Sequence, residues 1–230
     1  AHMGVPMFAT TERILGFLAA PLTRTPEINW IIIPLLIIFY AGELVWRERD
    51  TRTSQITDAT PVPEWGLFAG KFAGLSLMLV ALEALMMAAG MFTQMLLGYY
   101  DFEVKLYAQS LFGLQLVDYL LFAVLALVLH ALVNDKYIGH LVAVLAYGLM
   151  TFGPALGLEH NLLIYGSDPG RMYSDMRGFE PFLEAWLWFK AYWAAWAVLL
   201  AVAGTLFWVR GTEAAFRSRL ALARRRLSRR

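Results

Sequence analysis

Apolar residues fall in five long blocks separated by short charged stretches: Ile28 to Trp46, Gly66 to Gly98, Leu106 to Val133, Ile138 to Leu158 and Phe182 to Val209. A helix needs about 20 apolar residues to cross roughly 30 Å of hydrocarbon, and each block reaches that scale. None shows the short alternating segments of a barrel strand, and lipid leaves helices as the remaining way to bond the backbone internally. The pattern therefore predicts an all-α, polytopic transmembrane helix bundle over 28–209. A stretch over 1–27 lies on one side of the membrane, and a basic tail over 210–230 on the other.

Composition agrees with that pattern. The chain is 59% hydrophobic and only 16% charged, against roughly 25% charged in ordinary soluble domains. A soluble, disordered or nucleic-acid-binding protein is excluded on these grounds. With no cysteine, there is no disulfide framework and no thiolate metal site.

Orientation follows from the basic residues. Arg47, Arg49, Arg52, Lys136 and the tail arginines 210, 217, 219, 224, 225, 226, 229 and 230 fall on one side; Arg13, Arg24, Lys105, Arg171 and Arg177 fall on the other. The positive-inside bias makes the first side cytoplasmic, with the C-terminus there and the N-terminus outside. An outside start with an odd number of spans suggests a piece of a longer chain whose preceding span is absent. A signal peptide is a weaker alternative, because Ile14 to Leu22 is short, contains Pro21 and lacks a clear cleavage site.

Within the second block, Gly66, Gly70 and Gly74 stand four residues apart with Ala69 and Ala73 beside them, a ridge on which another helix could pack closely. That block's 33 residues make about 50 Å of helix, so it tilts, kinks or projects from the bilayer. In the fourth block Gly153 and Gly157 repeat that spacing around Pro154, which reads equally as a close-packing site or as a kink.

Ionisable groups within the spans are costly and need polar partners or water. Glu83 and Gln94 lie in the second block, Asp118 near Gln115 and His130 in the third, His140 opens the fourth, and Lys190 lies inside the fifth. Glu83, Gln94 and Asp118 are read either as a polar or proton-linked path or as hydrogen-bonded locks between helices, the lock being favoured. His130 and His140 flank a short turn and read as interfacial residues. The outer loop over 159–180, rich in Gly, Pro, Asp and Ser, reads as turns rather than a cation site.

The densest charge lies in Gly42-Glu43-Leu44-Val45-Trp46-Arg47-Glu48-Arg49-Asp50, followed by Asp58-Ala59-Thr60-Pro61-Val62-Pro63-Glu64-Trp65. From charge patterning alone it is either a short helix on the membrane surface facing a partner or a solvated loop. The tail places Phe216, Leu220, Ala223 and Leu227 on one stripe, as in a basic amphipathic helix. Arg217, Arg219, Arg224, Arg225 and Arg226 would then meet anionic lipid headgroups.

The run from Gly42 to Lys71 resembles the membrane domain of ABC-2 type transporter permeases. It is most similar to the bacterial variety in which two such domains precede an aminopeptidase-N-like zinc peptidase domain. That resemblance implies an inner-membrane permease half, leaning towards export, that works with a separate ABC-type ATPase and with another permease half or a homodimer partner. It also implies that Glu43, Arg47, Glu48, Arg49 and Asp50 contact the ATPase, and it implies about six spans where five are visible. The chain carries no His-Glu-x-x-His and no Gly-x-x-x-x-Gly-Lys-Ser/Thr. It is therefore expected not to be an enzyme and to hold no metal or cofactor of its own, ATP being bound by the partner. Two other classes stay open: a membrane anchor for an extracytoplasmic peptidase, and an intramembrane enzyme using Glu83, Asp118 or the histidines.

Overall fold

The computed structural model describes residues 10–18, 29–51, 53, 59–133, 135–171, 173–174, 176–208 and 216–228. These residues form α1 (Thr11–Leu18), α2 (Asn29–Asp50), α3 (Glu64–Leu96), α4 (Val104–Val133), α5 (Lys136–Phe152), α6 (Glu180–Leu206) and α7 (Phe216–Ser228). No strand occurs among the described residues; Ser174 and Gly178 form an isolated bridge. A helix stands at each of the five apolar blocks. Three of them, α3, α4 and α6, are long and apolar enough to cross a membrane, and α5 is a shorter apolar helix of 17 residues.

The chain reverses between successive long helices, so the bundle has two ends. One gathers the α2–α3 and α4–α5 connections with the last turn of α6 and α7; it is called the tail end below. The other, the loop end, gathers α1, the α3–α4 connection and residues 153–179. Within the bundle α4 is central: 61% of its most apolar stretch is buried, against 22% for α3 and 28% for α6. It packs on α2, α3, α5 and α6, and Phe122, Ala123, Ala126 and Leu127 are wholly buried in the core.

Outward-facing surfaces are apolar instead. Leu77 and Leu85 of α3, Leu145 of α5, and Trp188, Val198 and Leu199 of α6 are all exposed, while Lys71, Glu83, Gln94, Asp118, His130 and Lys190 are buried. A soluble protein cannot expose so much contiguous hydrocarbon, whereas in lipid that surface lies in its own solvent and the polar groups pair inside.

Local chemistry sets the helix ends. Gly98 takes φ +75, and the Tyr99 N–H bonds the Gln94 carbonyl at 2.9 Å, a left-handed glycine closure that stops α3. The Asp135 carboxylate accepts the Ile138 N–H at 2.9 Å and so caps α5. Pro181 occupies the first turn of α6, where its missing N–H costs nothing.

Two expectations change. The fourth block does not continue to Leu158 with a kink: α5 ends at Phe152, because Pro154 starts a single 3-10 turn that Gly157 closes at φ +86. The charged run from Glu43 to Asp50 is no separate surface helix; it forms the last two turns of α2 without a break. Helix α4 also holds a feature that the apolar pattern does not signal, a π-helical stretch over Ala108–Gln115, in which the Leu116 N–H reaches back to the Leu111 carbonyl. Such segments are rare and recur at functional sites.

Candidate functional site

At the tail end, α2 is tied to two neighbours by its own charges. Lys71 of α3 donates to the Glu48 carboxylate at 2.6 Å and to the Leu44 carbonyl at 2.5 Å, and its ammonium lies 5.9 Å from the Trp208 ring centroid. Lys136, at the start of α5, pairs with Asp50 at 2.7 Å and Glu43 at 3.1 Å; those two hydrogen bonds raise its pKa above the usual lysine value. Arg49 stacks over Trp46 at 4.7 Å. Of the five residues implied as ATPase contacts, Glu43, Glu48 and Asp50 thus join helices to one another, and Arg47 is exposed.

The tail joins the same end. Arg226 donates to the Leu206 carbonyl at 2.9 Å and the Trp208 carbonyl at 2.8 Å, satisfying carbonyls that the end of α6 leaves open, and pairs with Glu64 of α3 at 2.9 Å. Arg226 thus clasps α3, α6 and α7 together. Arg224 and Arg225 are exposed, while the side chains of Arg217 and Arg219 lie outside the described residues.

Above Lys136, the rings of His130 and His140 meet edge to face at 4.6 Å. His140 Nδ1 lies 2.6 Å from the Lys136 carbonyl. His130 is wholly buried rather than interfacial, with neither ring nitrogen hydrogen-bonded. The pair fits because Gly42 and Gly139 lack side chains: a Cβ on Gly139 would lie 2.5 Å from His130 Nδ1, and one on Gly42 would collide with the His140 ring.

Near the loop end, four charges form a closed cluster. Lys190 of α6 lies 2.6 Å from Asp118 Oδ1 of α4, close enough for an ion pair though out of line for a hydrogen bond, and 2.8 Å from Asp168. Arg171 bonds Asp118 at 3.0 Å and Asp168 at 3.3 Å. All four side chains are at least nine-tenths buried. Lys190 also donates to the Gly166 carbonyl at 2.6 Å, and the Trp193 indole N–H to the Ser167 carbonyl at 2.9 Å. Burial alone would raise the Asp168 pKa, but Lys190, Arg171 and the Gly170 N–H outweigh it and hold the carboxyl below its usual value. The loop that carries Asp168 and Arg171 is thereby locked to α4 and α6 by a neutral set of two acids and two bases.

Elsewhere the expected residues separate. Gln94 is buried and takes the Tyr107 hydroxyl at 2.9 Å while donating to Thr11 at 3.2 Å, which docks α1 on α3 and α4. Glu83 is buried with neither oxygen hydrogen-bonded. Gly70 and Gly74 are exposed: a Cβ on either would meet nothing within 4 Å among the described residues, and α3 packs instead through Phe68, Lys71, Leu75 and Leu79. Spacing had marked the close-approach ridge but not the side that the bundle uses. Asp168 and Arg171 escaped the sequence reading, since a Ser-Asp-Pro-Gly turn signals only a turn; an unpaired Asp118 and Lys190 within spans were the available hint.

An apolar exterior, a buried ionic interior and several membrane-length helices define a polytopic membrane protein. The family of ABC-2 family transporter proteins matches residues 16–151, more than half of the 230-residue chain, and the chain belongs to that family. No curated protein and no solved structure matches it.

Proposed function

We propose that the chain is the membrane-spanning permease part of an ATP-driven exporter of the ABC-2 type, with all five long helices crossing a bacterial inner membrane. The tail end faces the cytoplasm, where the positive-inside bias places its arginines. ATP is bound and hydrolysed by a separate subunit; this chain contributes the path and the lever. The residues Gly42 to Lys71 are the ground for extending the reading to the peptidase-fused subtype.

The observation that carries the reading is the ionic end of α2. A push on Arg47 and its neighbours moves a continuous helix whose Glu48 is bound to α3 through Lys71 and whose Glu43 and Asp50 are bound to α5 through Lys136. Through Trp208 and Arg226 the same end reaches α6 and α7. The exposed Gly70 and Gly74 face of α3 is the surface offered to a second permease half, and Arg224 is offered to anionic headgroups.

An intramembrane enzyme is a poorer reading. Asp118 and His130 are twelve residues apart on one helix, about 18 Å along its axis, and Asp118 is committed to two cations. The test reverses one exposed charge: Arg47→Glu should weaken ATPase association and uncouple hydrolysis from transport while leaving thermal stability unchanged. Full coupling in that variant would refute the assignment. Replacing Glu48 is a poorer probe, because it also strips Lys71 of its partner.

A further inference from the structure

Glu83 is the exception in the bundle's pattern of charges. It stands partway along α3 on the face that carries Leu75 and Leu79 into the core, fully buried, and neither carboxylate oxygen has a hydrogen-bond partner. The other buried acids among the described residues, Asp118 and Asp168, share Lys190 and Arg171; at the tail end Lys71, Lys136 and Arg226 are taken by Glu48, by Glu43 and Asp50, and by Glu64. The titratable groups near this region are Asp118 and Tyr119 of α4 and Tyr147 of α5. Lys190 of α6 is bound to Asp118, and the acids of α2 lie at the tail end. Among the described residues no cation pairs with Glu83, and an ionised carboxylate without a counter-ion in hydrocarbon is far costlier than a neutral one.

We propose that Glu83 carries a proton in this conformation and is an intramembrane proton-binding site. When helix movement admits water between α3 and α4, the carboxyl gives its proton to water and becomes a carboxylate; the reverse transfer from hydronium reloads it. Polar steps lie close by. Tyr119, within electrostatic reach of Glu83, accepts the Gln115 N–H at 2.6 Å. That leaves its own hydroxyl hydrogen to donate, and Gln115 Oε1 is buried without a partner. The proposal goes beyond the permease reading and does not depend on it.

Infrared difference spectroscopy of the full chain in lipid nanodiscs at neutral pH tests it without an ATPase. The expected spectrum holds a protonated-carboxyl C=O band that disappears in Glu83→Gln, shifts in Glu83→Asp and persists in Asp118→Asn. Transfer to D2O should shift that band as the proton exchanges. Absence of any Glu83-dependent band would overturn the proposal, because the group would then be ionised. A band unmoved by prolonged exposure to D2O would overturn it too, as the mark of a locked structural proton. If Glu83→Gln fails to insert, the band shift in Glu83→Asp decides the assignment.

Discussion

Lys190→Met removes one of the two cations that hold the loop carrying Asp168 to the bundle. The ammonium lies 2.6 Å from Asp118 and 2.8 Å from Asp168, with these side chains 5–6% exposed. The methionine fills similar volume, so the loss is electrostatic: two buried acids are left to share Arg171. Removing one partner from a buried pair costs about 3–5 kcal/mol, and at about 2–4 °C per kcal/mol for a chain of this size the melting temperature should fall by about 10 °C. Adding Asp118→Asn restores a neutral cluster built on Arg171 and Asp168. The double variant should therefore be more stable than Lys190→Met alone by at least about 1 kcal/mol, a coupling that a double-mutant cycle reads directly. Thermal unfolding in nanodiscs, followed by tryptophan fluorescence, measures all four proteins. If the single variant loses no stability, or if the two losses simply add, the four charges do not act as one cluster and the locked-loop reasoning fails.

Further outcomes follow from the same contacts. Asp168 is held below its usual pKa, so its contribution is complete above the unfolded carboxyl value near 4 and is lost as pH falls through the depressed folded value. The stability gap between wild type and Asp168→Asn should be constant from pH 7 to about 5 and close only below about 4, as measured by melting in acid. Gly139→Ala should cost about 1–3 kcal/mol by driving a methyl into His130, and His130→Ala in the same chain should recover part of it. Arg226→Ala should loosen the last turn of α6, seen as faster amide exchange at Leu206 and Trp208, without altering α4. Gly70→Leu with Gly74→Leu should not lower the isolated chain's melting temperature, since a Cβ at either position meets nothing within 4 Å among the described residues, and should reduce association of permease halves in cross-linking.

Much of the architecture was legible because lipid imposes it. Five apolar blocks of sufficient length become five helices, and the second ends where Gly98 closes it, whereas the fourth stops at Phe152 before Pro154 and short of the Leu158 that its apolar pattern reached. What the blocks could not convey is which face each helix turns inward. Gly70 and Lys71 are adjacent, yet Lys71 enters the bundle because Glu48 and the Leu44 carbonyl wait there, and that turns the glycine ridge outward. The α2 charges likewise looked like a surface segment, since Lys71 lies 23 residues from Glu48 and Lys136 lies 86 residues from Asp50. Asp118 and Arg171 are 53 residues apart and meet only once the loop folds back. Such long-range pairings leave no local periodicity for sequence reasoning to use.

The central claim is that a separate ATPase drives this bundle through the exposed end of α2. A photo-reactive amino acid placed at Arg47 in the full chain, activated in intact cells and resolved by peptide mass spectrometry, addresses it in one step. The account predicts a cross-linked peptide from an ATPase that carries the Gly-x-x-x-x-Gly-Lys-Ser/Thr phosphate loop, with the yield lost when the same group is placed at the exposed Leu145 of α5. Cross-links at Arg47 confined to lipid or to this chain's own helices would contradict it.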